Sequence, residues 1–434
     1  MKAPRFETLQ LQKIVGGGQA LGTLSDGRKA FIWGGLPGEK VTACITKAKS
    51  HLVEGYVTEV LESSKDRIDP EDPESYLSTS PWQIMAFSAE QHYKAALIEE
   101  AFKLHDIVLP NTIAVYTDNN EFRYRNKVEF SWYGTANPSG DTLDLAFFRR
   151  GTKGKITINS SALLPAGIMS LACAVRDLLQ QKSVRAGDLK TLLIRCSQSG
   201  DCVWQLYVKT QEFDRISDTE AEQLPAIGGE VIYSDPRSPA SRITKRLRAF
   251  GQNVLTDTIM GVPFRYATEG FFQINIPVYE QALTDMRAWI PKDSRVVDLY
   301  SGVGSIGLTI GGNAPELIEI NEDAVREMKR NISELHSDAK AILAPSEKAL
   351  DYITSDKVII VDPPRAGLHA DVADRLLETL PKRIIYLSCN PVTQARDVAL
   401  LREKYQIIHH KGYNFFPRTP HIEHLVVLAV TSQN

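Results

Sequence analysis

The chain has 434 residues, more than one hydrophobic core normally holds, so its length predicts two or three domains. The hydrophobic fraction of 43% and the charged fraction of 24% are ordinary for a globular protein. With 50 basic and 53 acidic side chains the formal net charge is −3, which excludes a global basic field and leaves only local basic surfaces for nucleic acid. The sequence has no apolar run of transmembrane length and no signal-peptide pattern at its start, so no membrane association is expected.

The first region, residues 1–62, alternates short β-rich runs with turn signals such as Asp26-Gly27 and Leu36-Pro37-Gly38. This spacing predicts a small, OB-like five-stranded barrel. Residues 63–270 contain a helical pattern at 88–105 and short strands such as FRYRNKVEFSWYG and WQLYVKT. They predict a central α+β domain with a mixed, mostly antiparallel sheet.

Residues 271–434 have a different pattern, in which near-continuous apolar strands alternate with helices. The strands include VVDLY, ELIEI, KVIIVD, RIIYLSC and HLVVLAV. Strands of this kind are covered on both faces, so the pattern predicts a doubly wound, largely parallel, Rossmann-like sheet. The fold class of the chain is therefore expected to be α/β, with the barrel and the central domain preceding this third domain.

A glycine-rich turn follows the strand RVVDLY and precedes a helix. Gly302, Gly304 and Gly307 form a G-x-G-x-x-G pattern, and Ser305 lies within it. Missing side chains let a ligand approach the backbone, and the helix start offers free N–H groups. Glu319 closes the next strand, where a carboxylate can bind ribose hydroxyls. The pattern fits NAD, FAD or S-adenosylmethionine and does not choose among them.

Three further polar groups lie at or near strand ends of the same domain. They are Asp362 in DPPR, Cys389 in LSCNP and Glu423 in HIEH. A thiol and a carboxylate at one edge of a sheet suit one particular chemistry on a pyrimidine ring. Carbon 5 of uracil is a poor nucleophile, but it becomes reactive when a thiolate adds to carbon 6, and a base must then remove the carbon 5 proton. Cys389 and Glu423 meet that need if the sheet brings their loops together.

The motifs DLYSGVGSIGL, DPPRAGL, LSCNP and PRTPHIEHLVVL, in this order, resemble those of the RNA 5-methyluridine methyltransferases. FFQIN resembles the motif that precedes their catalytic domain. Residues 1–62 resemble the TRAM domain of many members, which implies that this barrel binds RNA. The resemblance implies a monomeric enzyme with S-adenosylmethionine as cofactor, Cys389 as nucleophile and Glu423 as proton acceptor. It also implies that Phe271 stacks on the target base. The residues that the resemblance implies as cofactor contacts are Gln273, Tyr300, Glu319 and Asp362, together with the loop residues Gly302, Gly304 and Ser305.

The chain departs from the family pattern at the iron–sulfur cysteines that many members carry. Leu77, Ser80 and Ser161 stand where cysteine ligands would be, so no iron–sulfur cluster is expected. The five cysteines show no CxxC pair, which predicts neither a disulfide framework nor a metal site; they are Cys44, Cys173, Cys196, Cys202 and Cys389. A reducing cytoplasm suits this scattered set.

Basic residues cluster in two segments that also carry aromatic or apolar residues, which suits contact with RNA phosphates and bases. FRYRNK contributes Arg123, Arg125 and Lys127, and RSPASRITKRLRAF contributes Arg242, Lys245 and Arg246. A third cluster, RRGTKGK, includes Lys153. Each cluster taken alone also fits a solvated surface.

Four functions are compatible with these motifs. The first is transfer of a methyl group to uridine carbon 5, with ribosomal RNA preferred to transfer RNA because members with the barrel often act there. The second is methylation of a base amino group, which uses a similar DPP turn, although Arg365 stands where that class has an aromatic residue. The third is a nicotinamide-dependent oxidoreductase, and the fourth is a non-catalytic RNA-binding protein built on the same fold.

Overall fold

The computed structural model describes residues 5–135, 142–152 and 154–431. Its first five strands form the closed barrel that the sequence predicts, in the order β1-β2-β3-β5-β4. The strands are β1 (Arg5–Ile14), β2 (Ala20–Thr23), β3 (Lys29–Trp33), β4 (Lys40–Ala48) and β5 (Leu52–Glu62). The predicted turns fall between strands, where Gly27 and Gly38 adopt φ of 87° and 83°, a conformation that favours glycine.

The middle of the chain forms a seven-stranded sheet of order β13-β12-β11-β10-β7-β8-β9. Only β11 and β12 pair in parallel, so the predicted mixed, mostly antiparallel sheet is confirmed for the described residues. The elements in chain order are α1 (Tyr76–Thr79), α2 (Phe87–Lys103), β6 (Val115–Tyr116), β7 (Lys127–Tyr133), β8 (Asp144–Phe148), β9 (Lys155–Thr157), α3 (Ala166–Gln181), β10 (Leu189–Cys196), β11 (Cys202–Val208), α4 (Asp218–Glu222), β12 (Gly228–Tyr233) and β13 (Lys245–Gly251).

The last part of the chain begins with a hairpin and continues as an eight-stranded sheet of order β18-β17-β16-β19-β20-β22-β21-β6. The five strands from β18 to β20 are parallel, which confirms the predicted Rossmann-like core. The elements are β14 (Val254–Ile259), β15 (Val262–Ala267), α5 (Ile276–Arg287), β16 (Arg295–Leu299), α6 (Ser305–Ile310), β17 (Glu316–Glu319), α7 (Glu322–Glu334), β18 (Lys340–Leu343), β19 (Lys357–Val361), α8 (Ala370–Thr379), β20 (Arg383–Ser388), α9 (Pro391–Leu401), β21 (Tyr405–Tyr413) and β22 (Glu423–Val430).

The chain divides into two compact units, and both are discontinuous in sequence. One contains residues 1–90, 120–255 and 417–420, and the other contains residues 91–119, 256–416 and 421–434. The second unit takes in most of α2, and also β6, which pairs in parallel with β21. The domain limits expected at residues 62 and 270 stay a prediction.

One pair of cysteines forms a disulfide, although the sequence predicts no disulfide framework. Cys196 and Cys202 are directly opposite each other at the turn of the β10–β11 hairpin, and the structure joins them as a disulfide. Their spacing of six residues matches no CxxC motif, so only the strand register reveals the pair. Cys44, Cys173 and Cys389 are free. Among the helices of the described ranges, none has both the length and the apolar character needed to cross a bilayer.

Candidate active site

The glycine-rich turn lies between β16 and α6, as predicted. Tyr300, Gly302 and Gly304 adopt φ of 67°, 58° and 89°, so the chain reverses sharply before α6 begins at Ser305. A Cβ added to Gly302 would meet no atom within 4 Å, whereas one on Gly304 would touch Leu308 at 3.0 Å. Gly302 therefore faces open space, where a ligand can approach the backbone, and Gly304 packs against the protein.

Glu319 is tied to this turn. Its Oε2 accepts a hydrogen bond from the backbone N–H of Gly302 at 2.9 Å, and its Oε1 accepts one from the N–H of Asn321 at 2.7 Å. The Tyr300 side chain is also fixed, because its hydroxyl accepts a hydrogen bond from Ser346 Oγ at 2.9 Å. Both side chains are thus held in place before any ligand binds.

The thiol and the acid of the predicted pair lie at the same end of two neighbouring strands. β20 and β22 are antiparallel, and Ser388 is opposite His424. Cys389 is the residue after Ser388, and Glu423 is the residue before His424, so both lie at the carboxyl edge of the parallel strands. Cys389 is half-buried, whereas Glu423 is only 6% exposed.

Three carboxyl groups influence one another at this edge. Burial raises the pKa of Asp298 to about 8 and that of Asp362 to about 7. The pKa of Glu423 rises well above its usual range because of burial and the nearby Asp362. Asp362 and Glu423 accept no hydrogen bond from the described residues, and Asp298 Oδ1 is buried without a partner among them. The cluster is therefore an acidic site with free acceptor atoms.

Arg365 is the cation beside the thiol. Burial and the charges of Glu423 and Asp362 raise the pKa of Cys389 to about 11. The positive charge of the nearby Arg365 guanidinium acts in the opposite direction and lowers the pKa of this thiol. Its NH2 also lies 3.0 Å from Nδ1 of His421. Arg365 is therefore the group that favours a thiolate in otherwise unfavourable surroundings.

The FFQIN segment precedes α5 and presents two kinds of side chain. Phe271 is 73% exposed, which is unusual for an aromatic ring. Gln273 is buried, and so is Phe272, whose ring stacks on Tyr266 at 4.0 Å between centroids. Asn275 is the residue that precedes the first turn of α5.

Comparison with known proteins agrees with this site. A family model described as tRNA (Uracil-5-)-methyltransferase matches residues 348–431, which include Asp362, Cys389 and Glu423. An uncharacterized RNA methyltransferase of Enterococcus faecalis is 28% identical over 427 residues, covering 92% of each chain. One of Thermotoga maritima is 26% identical over 446 residues, covering 98% of this chain and 99% of its own. This chain is an S-adenosylmethionine-dependent RNA methyltransferase, and its last part matches the tRNA (Uracil-5-)-methyltransferase family model.

A solved structure supports the fold of this methyltransferase. The crystal structure of Pyrococcus abyssi tRNA (uracil-54, C5)-methyltransferase in complex with S-adenosyl-L-homocysteine aligns with a TM-score of 0.79. The alignment covers 97% of this chain and 100% of that one, at 19% sequence identity. At that identity the likeness concerns the fold, and the roles of individual residues depend on the site itself.

The acidic cluster of the methyltransferase fits its cofactor. S-adenosylmethionine carries a positive sulfonium and an ammonium group, and both favour nearby ionised carboxylates. Asp362 and Glu423 have free acceptor oxygens at the site, and Gly302 leaves its backbone open to a ligand. Among the described residues no group of three or more metal-ligating side chains occurs.

The predicted RNA-contacting residues of the methyltransferase occupy two separate places. Arg123, Arg125 and Lys127 lie just before or at the start of β7, whereas Lys245 and Arg246 begin β13. Three strands separate β7 from β13, which corresponds to about 19 Å. Arg242, Lys245 and Arg246 are exposed, but Arg246 already pairs with Glu230. Lys153 lies outside the described residues.

A polar network occupies the region where the resemblance implies iron–sulfur cysteines. Gln83 Nε2 donates hydrogen bonds to Ser80 Oγ at 2.6 Å and to Asp72 Oδ2 at 3.0 Å. Both carboxylate oxygens of Asp72 accept from the N–H of Ala162, the residue after Ser161, at 3.0 Å. These bonds join the two segments that four thiolates would otherwise connect.

Two groups at the site have no counterpart in the sequence prediction. Asp298 is fully buried in β16, and its Oδ2 accepts a hydrogen bond from Gly307 N–H at 3.0 Å, which fixes the start of α6. A charge within the apolar run VVDLY is the signal that indicates it. The hydroxyl of Tyr279 lies 3.0 Å from Ser305 Oγ, and burial raises its pKa well above the usual value. Nothing in the sequence distinguishes Tyr279 from an ordinary core tyrosine.

Proposed function

We propose that this methyltransferase modifies carbon 5 of a uridine in ribosomal RNA through a covalent adduct on Cys389, with Glu423 as the base. The observation that carries the proposal is the strand register that puts Cys389 and Glu423 at one end of the β20–β22 ladder. The charges of Glu423 and Asp362 act on the thiol, which supports their closeness to it. An amino-group methyltransferase or an oxidoreductase has no use for this pair.

The proposed reaction gives each group one task. The Cys389 thiolate forms a bond to carbon 6, and the displaced electron pair makes carbon 5 a nucleophile. S-adenosylmethionine supplies the electrophilic methyl group, which carbon 5 takes with release of S-adenosylhomocysteine. Glu423 then removes the remaining carbon 5 proton, the electrons of that C–H bond restore the ring double bond, and the sulfur–carbon bond breaks to return the thiolate.

The remaining proposed roles concern binding. The proposed cofactor contacts are Gln273, Tyr300, Glu319 and Asp362, with the loop residues Gly302, Gly304 and Ser305. The exposed ring of Phe271 is proposed to stack on the target base. The proposed RNA contacts are Arg123, Arg125, Lys127, Arg242, Lys245 and Arg246. Arg246 shares its charge with Glu230, to which it is paired.

Ribosomal RNA is the first candidate because family members with an N-terminal barrel often act on it, and β1–β5 form such a barrel. Transfer RNA is the second, because the similar Pyrococcus abyssi enzyme is a tRNA (uracil-54, C5)-methyltransferase. We propose that the enzyme acts in the cytoplasm, as a monomer. Mapping 5-methyluridine in both RNA classes from a strain lacking the protein decides between them.

The chemistry is tested with labelled S-adenosylmethionine, RNA and nucleoside analysis. We expect labelled 5-methyluridine with the parent protein and none with Cys389→Ala. Retention of S-adenosylhomocysteine binding by the variant shows that its cofactor site is intact. Labelled 5-methylcytidine or methyladenosine, or an active Cys389→Ala protein, contradicts the proposal.

A further inference from the structure

One face of α9 contacts all three segments that carry the proposed catalytic groups. The helix begins immediately after Asn390, the residue that follows Cys389. Asn390, Thr393, Gln394 and Asp397 are spaced at i, i+3, i+4 and i+7, so they share one face. Gln394 and Asp397 are no more than 1% exposed. This face is too polar for ordinary core packing, and each of its side chains makes a specific hydrogen bond.

The outer part of this face holds the turn that carries Asp362 and Arg365. Asn390 Nδ2 and Thr393 Oγ1 donate hydrogen bonds to the Arg365 carbonyl oxygen at 2.9 and 3.1 Å. Asp397 Oδ2 accepts the N–H of Leu368 at 2.8 Å.

The approach between helix and turn is close enough to require a glycine. A Cβ on Gly367, whose φ is 83°, would lie 2.5 Å from Asp397 Oδ2. Arg396 donates to both Asp397 Oδ1, at 2.7 Å, and the carbonyl of Ala366, at 2.9 Å. The backbone on both sides of Gly367 is thus fixed to α9, and with it the starting point of the Arg365 side chain.

Gln394 holds the strands that carry the thiol and the base. Its Nε2 donates to the carbonyl of Tyr386 in β20 at 3.1 Å and to that of His424 in β22 at 2.9 Å. Its Oε1 lies 2.7 Å from Nδ1 of the same His424. One buried amide thus connects the strand that ends before Cys389 with the residue next to Glu423.

We propose that Asp397 and Gln394 are positioning residues with separable effects. Asp397 holds Arg365 against the Cys389 thiol, and Gln394 holds Glu423 across the base from it. This inference rests on the proposed function, because each of the two residues is assigned to one step of the proposed reaction. Loss of Asp397 should slow formation of the adduct, whereas loss of Gln394 should slow its resolution.

The test separates the two steps with two RNA substrates. In RNA that contains 5-fluorouridine, carbon 5 carries fluorine, which Glu423 cannot remove as it would a proton. The covalent protein–RNA adduct therefore resists denaturation and accumulates at the rate at which it forms. RNA with ordinary uridine reports complete turnover. With S-adenosylmethionine present, we expect Asp397→Asn to slow trapping on fluorinated RNA at least tenfold. We expect Gln394→Met to trap at nearly the parental rate, yet turn over uridine RNA at least tenfold more slowly and accumulate adduct on it.

Matched controls are Asp374→Asn and Gln406→Met, which make the same replacements at exposed positions. They should behave as the parent in both assays. S-adenosylhomocysteine affinity and the midpoint of thermal unfolding check that each variant is folded. If Asp397→Asn does not fold, Thr393→Val removes a different support of Arg365 and should slow trapping in the same way.

The outcomes distinguish a failure of the positioning roles from a failure of the proposed function. Parental rates in both variants, or equal slowing of both steps by either variant, overturn the positioning roles and leave the reaction standing. A parent protein that fails to trap fluorinated RNA while methylating uridine overturns the covalent mechanism itself, and the positioning roles with it.

Discussion

Cys389 and Glu423 are 34 positions apart in the chain, yet the pairing of Ser388 with His424 brings them to one end of the same ladder. The geometry of an antiparallel pair sets this relationship, because opposite residues have Cα atoms about 5 Å apart. Neither side chain depends on a flexible loop for its position. The backbones of both groups are thus held next to each other at one edge of the sheet.

Replacing Glu423 with Gln should block the last step and leave the first ones in place. The amide cannot take the carbon 5 proton, so we expect turnover to fall by a factor of about 10² to 10⁴ and a covalent RNA adduct to accumulate. Denaturing electrophoresis of the protein with labelled RNA measures the adduct. Glu378→Gln, at an exposed position of α8, is the control. Loss of turnover without adduct would assign Glu423 an earlier role.

Replacing Arg365 with Gln should make the Cys389 thiol less reactive. Arg365 lowers the pKa of this thiol against the effects of burial, Glu423 and Asp362, so its removal should raise that pKa above about 11. Each unit of increase lowers the thiolate fraction about tenfold. The pH dependence of iodoacetamide alkylation at Cys389, followed by mass spectrometry, measures the change. Arg295→Gln at an exposed position is the control, and an unchanged alkylation profile for Arg365→Gln would contradict the assignment.

The acidic cluster should make the ligand-free protein less stable as the pH rises. Burial raises the pKa of Asp298 from 3.8 to about 8, so the folded state holds a proton that the unfolded state has already released. Unfolding therefore becomes easier between about pH 4 and 8, with a slope of at most about 1.4 kcal/mol per pH unit from this group.

Asp298→Asn should flatten that dependence. Urea unfolding of parent and variant at several pH values between 5 and 8 measures the difference of their slopes, in which the contributions of other groups cancel. Asp356→Asn at an exposed position should leave the parental slope nearly unchanged. Parallel curves for Asp298→Asn and the parent would show that Asp298 is ionised in the folded protein at neutral pH.

The sequence predicts those parts of the molecule that depend on local pattern. Apolar runs identify the parallel strands, and Asn321 caps α7 as the pattern indicates, by accepting a hydrogen bond from Ala324 N–H. The pattern is wrong for FRYR, because Arg123 has φ of 56° and precedes β7 outside the strand. The two-residue strand β6 has no pattern of its own and exists only because β21 provides a partner.

At the site, the motifs indicate which residues carry chemistry but not what holds them in place. Gln394 and Asp397 look like ordinary polar residues of an amphipathic helix, and the roles proposed for them depend on contacts with Tyr386, Leu368 and His424 in three other segments. Such contacts follow from tertiary packing, which no local spacing encodes. The same holds for the Cys196–Cys202 disulfide, which requires the register of β10 and β11.

Replacing Glu319 with Gln should weaken cofactor binding without unfolding the protein. The carboxylate accepts hydrogen bonds from two backbone donors, Gly302 N–H and Asn321 N–H, one on each oxygen. Glutamine has only one acceptor oxygen, so its NH₂ group must face one of those donors, and the turn has to rearrange around it.

We expect the dissociation constant for S-adenosylhomocysteine to rise about 10- to 100-fold, which is about 1.4 to 2.7 kcal/mol of binding free energy. Isothermal titration calorimetry measures it, with Glu322→Gln at an exposed position of α7 as the control. The midpoint of thermal unfolding without ligand should change little, because Glu319 is only partly buried. If affinity is retained while that midpoint drops, Glu319 supports the turn structurally and the cofactor depends on other groups.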